Sequence, residues 1–420
     1  MVENYFSYRL TVFPAELTTP AGNRFQIFNS VFMKWMFSTL PLIACTLLFA
    51  ADKATAVSIK SKISEPFSDT VNIDPSLAAY VTESNTLHRS SYTLRQLDMV
   101  LQENKNTQFL LGASREGRKI NAYYIPGTSN LKALVIAGVH GSELSSVEVA
   151  YRLLSHLLQG KQPYYSVIII PSLFPDNAMK AMNQGERIGG VDNIGRYTFP
   201  NAADPNRQMP SPGKAYDENS GTDHIGRKIE QENQWLLQLI QSFKPQRIAN
   251  LHAIRDLNYG GVYADPRTDH LGFALGYETD SSLAIDIASY IHQGGGKVDG
   301  NNLVKSPTAL YYKDPVPVTA GQPQKRNMTG SALNAKRGSG VSLGTWASTA
   351  VANEKDPGKN REAMRILTIE YPGYKRPADY QIESQQLFQQ KQTELFANAI
   401  ETFFLGNYYI ESMANDVVKK

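Results

Sequence analysis

Residues 134–139, Leu-Val-Ile-Ala-Gly-Val, close a segment beginning at Leu131 in which apolar residues do not alternate with polar ones. A strand with one wet face alternates with period two, whereas a strand covered on both faces reads as a continuous aliphatic run. This segment therefore has to lie inside a sheet flanked on both sides. Similar runs recur at 167–170, ended by Pro171, at 247–251 and at 366–369. Between them the spacing is helical. Leu144, Val147, Tyr151, Leu154 and Leu158 mark one face of a helix that Ser142 is placed to cap. Ile225, Ile229, Leu236 and Ile240 mark a helix over 223–243; another over 281–292 meets Gly294-Gly295-Gly296, and a last one spans 381–404. A helical pattern also covers 92–102, and 109–126 reads as two short strands around Arg115-Glu116-Gly117-Arg118. Strands alternating with helices predict an α/β fold: a mixed, mostly parallel sheet with helices on both faces.

Two of the buried runs end in chemistry. His140-Gly141-Ser142-Glu143 follows the first, and His252 follows the run at 247–251. Two imidazoles and one carboxylate form the usual ligand set of a catalytic zinc, which keeps a fourth position open. In an open α/β sheet, sites gather beyond the carboxyl ends of strands, where both histidines belong. The reading is one zinc per chain, held by His140, Glu143 and His252.

Asp204-Pro205-Asn206-Arg207, followed by Pro210, resembles the Asn-Arg motif of the zinc carboxypeptidases related to carboxypeptidase A. Ile366-Leu367-Thr368-Ile369-Glu370-Tyr371-Pro372 is similar to the strand of that family that carries its catalytic glutamate, and the order HxxE, Asn-Arg, His, Glu is the family's order. The resemblance covers roughly 105–405 and implies a zinc-dependent hydrolase acting on a C-terminal peptide bond. It implies Glu370 as general base, taking a proton from water and passing it to the leaving amine. It also implies that Asn206 and Arg207 hold the substrate's free carboxylate, for which a planar guanidinium is well shaped. An oxyanion-stabilising arginine is expected as well; Arg196 and Arg187 compete for that role, with Arg196 ahead on its spacing to Asn206. The chain departs from the family where a tyrosine is expected. Asn334-Ala335-Lys336-Arg337 has none, leaving Tyr311 or Tyr312 as substitutes.

The amino terminus carries an export pattern in an unusual place. Lys34, an apolar run over 35–50 and the small-x-small site Ala54-Thr55-Ala56 read as a secretory signal peptide starting at Met33. The expected organisation is a leader over 1–56, a lead-in over 57–104, a catalytic domain over 105–405 and a tail over 406–420. Cleavage at Ala56 removes Cys45, the one cysteine, and leaves a periplasmic or secreted chain without stable membrane insertion. With 42 basic and 39 acidic side chains the charge is nearly balanced, so there is no electrostatic footprint for nucleic acid.

Other functional readings compete. Leu251-His252-Ala253-Ile254-Arg255 looks like the second-histidine segment of succinylglutamate desuccinylases, which implies an N-acyl amino acid deacylase; a non-catalytic peptidoglycan-binding module is a further alternative. Gly340-Val341-Ser342-Leu343-Gly344 matches the GxSxG elbow of serine hydrolases, but Lys336-Arg337-Gly338-Ser339 before it is loop composition where that elbow needs a strand. An exported enzyme of the resembled family has peptides as its substrate, with muropeptide stems of the bacterial cell wall as the expected class.

Overall fold

The computed structural model describes residues 86–190, 192, 194–198, 203–276, 278–301 and 338–407. The leader, Cys45, the first part of the lead-in, and both Tyr311 and Tyr312 lie outside these residues. In chain order the elements are β1 (His88–Thr93), α1 (Leu97–Gln102), β2 (Thr107–Ala113), β3 (Lys119–Ile125), β4 (Lys132–Ile136), α2 (Leu144–Gln159), β5 (Ser166–Ile170) and α3 (Pro175–Met182). They continue with α4 (Gln231–Phe243), β6 (Arg247–Ile254), β7 (Gly260–Ala264), α5 (Glu278–Gln293), β8 (Val298–Asn301), α6 (Leu343–Ala347), β9 (Arg365–Pro372) and α7 (Glu383–Ala399).

The strands form one mixed sheet of nine in the order β1-β2-β3-β5-β4-β6-β9-β7-β8. Its centre, β5-β4-β6-β9, is parallel throughout. The antiparallel pairings are β2-β3, β3-β5 and β7-β9. One face of the sheet buries Ala133, Val135, Leu251 and Ile369 under α2, α5 and α7, through Leu153, Leu283 and Phe396. The other buries Leu134, Ile136, Ile248 and Ile366 under α1, α4 and α6, through Leu97, Leu236 and Trp346. β4 and β5 are buried on both faces, which is why their sequences show no polar alternation. No helix among the described residues is long and apolar enough to cross a membrane.

Several sequence expectations shift. Residues 88–93 are a strand, parallel to β2, so the sheet reaches back to His88 and the expected boundary at 105 falls inside it. The helix expected from Tyr92 begins instead with a 3-10 turn at Leu94, because Tyr92 and Thr93 belong to β1. The helix expected from Asp223 begins only at Gln231. Asp223 accepts from the amides of Ile225 and Arg227, closing a local turn in which Gly226 has φ +84°. A side chain that bonds nearby backbone in this way competes with helix formation. Ser142 does not cap α2; Glu143 holds the N-cap position without a side-chain cap bond. Ser342 instead caps α6 by accepting from Thr345 N at 3.1 Å, so the serine of the GxSxG run stands at the start of a helix.

Candidate metal centre

The parallel register of β4, β6 and β9 puts three carboxyl ends side by side, and the site is built there. His140 and Glu143 occupy the turn between β4 and α2, His252 lies near the end of β6, and Glu370 is its register partner on β9. Gly141 within the turn is required. A Cβ there would stand 2.3 Å from Ala178 N, so the first turn of α3 packs directly on glycine backbone. Gly138, at φ +64°, turns the chain out of β4.

His140, Glu143 and His252 are buried, at 3%, 1% and 3% exposure. Glu143 Oε1 lies 2.8 Å from His140 Nδ1, and Oε2 lies 2.9 Å from His252 Nδ1. Their ligand atoms all fall within 4.8 Å of one another. On the far side of the first ring, His140 Nε2 meets Asp204 Oδ1 at 2.9 Å. An imidazole that donates Nε2–H to a carboxylate presents its Nδ1 lone pair inward, the usual arrangement of a metal-binding histidine. The donor set therefore fits a zinc ion held by His140 Nδ1, a Glu143 carboxylate oxygen and His252 Nδ1.

Arg196 is buried and donates to Glu143 Oε1 at 2.8 Å, with Nη2 3.7 Å from Asp204 Oδ2. Arg187 is exposed and pairs with Asp192, so only Arg196 of the two competing arginines reaches the site. Asn206 lies over the metal group, with Nδ2 3.3 Å from His252 Nε2 and Oδ1 accepting from Leu343 N at the start of α6. Arg207 is half-buried beside it and donates Nη1 to the Asn206 carbonyl at 2.7 Å. The 204–207 turn is held by Asp204, which also accepts from Asn206 N.

The electrostatics follow from this crowding. Burial alone would raise Glu143, but His140 and His252 hold it well below the ordinary carboxylate range. Burial also favours the protonated form of Asp204, yet His140, Arg196 and Arg207 pull it down. For His140, burial and Arg196 push downward, while Glu143 and Asp204 outweigh them and raise it. Glu370 is raised, first by burial and then by Glu143, against the opposing pull of His252, Arg196 and His140. Burial favouring the proton on one carboxyl beside another kept ionised separates the two chemically.

Two residues of this site escape a sequence reading. Asp204 was visible only as the first letter of the Asp-Pro-Asn-Arg run, whose orienting contact to His140 spans 64 positions. Tyr374 follows Glu370 by four residues and packs beside Leu144 and Ile188. Its phenol is raised by burial and by the charge of Glu143, and no motif marks it. The remaining described histidines stay apart from the site: His156 pairs with Glu394 and Glu401, and His224 meets Ser211.

No family model matches this sequence, and neither does any curated protein. Solved structures similar to it include carboxypeptidase A from Helicoverpa armigera, at 15% identity and TM-score 0.41, covering 77% of this chain and 78% of that one. A metallo-carboxypeptidase from Burkholderia cenocepacia is similar at 14% identity and TM-score 0.36, covering 74% and 68%. A murein-tripeptide amidase from Escherichia coli O157 is similar at 19% identity and TM-score 0.35, covering 70% and 91%.

Proposed function

We propose that this protein is an exported zinc-dependent carboxypeptidase that hydrolyses the C-terminal amide bond of peptides, with bacterial cell-wall stem peptides as substrates. The observation that carries the reading is the Glu143 carboxylate gripped between His140 Nδ1 and His252 Nδ1, with Glu370 in register beside His252. A zinc ion held by His140, Glu143 and His252 would supply Lewis-acid chemistry, polarising the scissile carbonyl and lowering the pKa of the hydrolytic water. Glu370, whose carboxyl burial raises, takes the proton from that water and returns it to the leaving amine. Arg196 supplies a fixed positive charge for the developing oxyanion. Asn206 and Arg207 hold the terminal carboxylate, which sets the scissile bond over the metal group. Asp204 keeps the His140 ring in its metal-binding orientation. The segment over 33–56 directs the chain out of the cytoplasm, and maturation leaves Val57 near its amino terminus.

A side-by-side assay tests this reading. The zinc-loaded protein is incubated with muropeptide tripeptides bearing free or amidated carboxyl termini, and products are read by mass spectrometry. Release of one terminal residue from the free form only, giving the dipeptide, is the expected result. Equal cleavage of both forms would remove the carboxylate clamp. Activity confined to N-succinyl or N-acetyl amino acids would replace the carboxypeptidase reading with a deacylase.

A further inference from the structure

At the carboxyl end of α6, a cavity of about 140 Å³ lies between the end of α4, Trp346 and the loop over 357–361. It shares no residue with the metal group. Lys244, Lys359 and Arg361 line it, and no carboxylate does. Ser242, Lys244, Gly358 and Asn360 are exposed, so the cavity opens to solvent. A cavity of this size holds several waters, which is room for one small oxyanion.

Arg361 is fixed in place by the protein itself. Its backbone pairs with Val351 in both directions, donating at 3.0 Å and accepting at 2.7 Å. Its guanidinium lies 4.3 Å from the Trp346 ring centroid and donates to the Ala347 and Trp346 carbonyls at 2.8 and 3.1 Å. Trp346 is fully buried, with Nε1 donating to Lys214 O at 2.9 Å. The planar fork is thus held by an aromatic face and by neutral carbonyls, which leave its charge uncompensated. Burial pushes the guanidinium down to about 9, and no carboxylate among the described residues pulls it back. A cation withdrawn from water is ordinarily paired.

Two lysines stand on the same rim. Lys244 ends α4 at φ 51°, a left-handed conformation that suits glycine and strains a lysine. Its Nζ reaches across to Gly358 O at 2.9 Å, which sets the ammonium beside the cavity. Lys359 lies 3.8 Å from Asp356, an exposed carboxylate outside the lining. Three cations against that one carboxylate leave a surplus of two positive charges. Capping the last carbonyls of α6 accounts for the two bonds of Arg361, but not for both lysines beside it.

We propose that this cavity is a binding site for a divalent oxyanion, a phosphate ion or a phosphate monoester, held by Arg361, Lys244 and Lys359. The guanidinium fork matches two oxygens of a tetrahedral anion, and the ammonium groups add charge without fixing a direction. A phosphate monoester carries about −1.5 to −2 charges at neutral pH, which balances the surplus. The Ser242 hydroxyl and the Asn360 amide line the same cavity as neutral donors. The site stands apart from the carboxypeptidase reading, because neither the metal group nor the Asn206-Arg207 pair contributes to it.

Calorimetry on the zinc-loaded protein, at constant ionic strength, titrates inorganic phosphate and, separately, glycerol 3-phosphate. Saturable binding is expected. Affinity for both assigns a phosphate carried on a larger molecule, and affinity for the inorganic ion alone assigns the free anion. Lys244→Gln combined with Lys359→Gln is expected to weaken binding by at least about tenfold with little change in Tm, because neither side chain is buried. Arg361→Gln is expected to abolish binding. Lys355→Gln, an exposed position on the same loop but outside the lining, is expected to bind as the unaltered protein does. No saturable binding, or equal weakening in Lys355→Gln, would overturn the site. Binding that is lost in His252→Ala but intact in the double lysine variant would place the anion on the metal group and overturn it as well.

Discussion

Glu143 carries the densest set of contacts at the level of single residues. Its two oxygens meet two imidazoles, the Arg196 guanidinium and the Ala253 amide. Residues that share one carboxylate act as a unit, so substitutions among them will not add independently. Glu370 is separable because the role proposed for it is proton transfer. Glu370→Gln is expected to leave zinc content unchanged while lowering turnover by about a hundredfold or more. Metal analysis and steady-state kinetics on one preparation check this, and near-normal turnover would place the base elsewhere. Asp204 acts one shell further out. Asp204→Asn keeps the shape of the side chain but loses the carboxylate that orients His140, so zinc affinity should fall by about ten- to a hundredfold, read by competition with a chelating dye. Unchanged affinity would mean that the His140 ring is held by packing alone.

Among the elements, β9 does the most to join site and scaffold. Its end carries Glu370, and its start is anchored by Arg365, which donates to Asp280 on α5. Asp280 is 1% exposed and is also held by Arg267, so one carboxylate ties α5 to β9 and to the loop after β7. Removing one partner of a buried ionic group leaves the others uncompensated. Asp280→Ala should therefore cost about 3–5 kcal/mol in urea unfolding. A loss under about 1 kcal/mol would show that water reaches the two arginines. This tie was not legible in the sequence, because Arg267, Asp280 and Arg365 are far apart along the chain and follow no period. The buried strands β4 and β5 were legible, since two dry faces demand continuous aliphatic runs, and β6 and β9 were legible from the shorter apolar runs that precede His252 and Glu370. β7 and β8 were not, because Gly260-Gly261 and the polar Val298–Asn301 segment have strand form only through pairing with β9 and with each other.

Across the whole molecule, the candidate ligands come from two separate strand ends, His140 and Glu143 after β4 and His252 on β6, so metal binding at this group would be coupled to folding. Zinc at about a hundred times its dissociation constant should stabilise the native state by about 2.7 kcal/mol. Thermal melts with and without zinc measure the shift, and His252→Ala should abolish it while leaving a folded, metal-poor protein. A full shift in that variant would place the zinc at other residues. From the sequence alone came the α/β class and the candidate group of His140, Glu143 and His252, with Glu370 and the Asn206-Arg207 pair as neighbours of that group, because each sits at the end of a buried run or in a short contiguous motif. Only the tertiary structure decided that Arg196 and not Arg187 enters the site and that Asp204 orients His140. Those relations depend on strand register and on loops folding back across tens of residues, and local spacing carries no record of either.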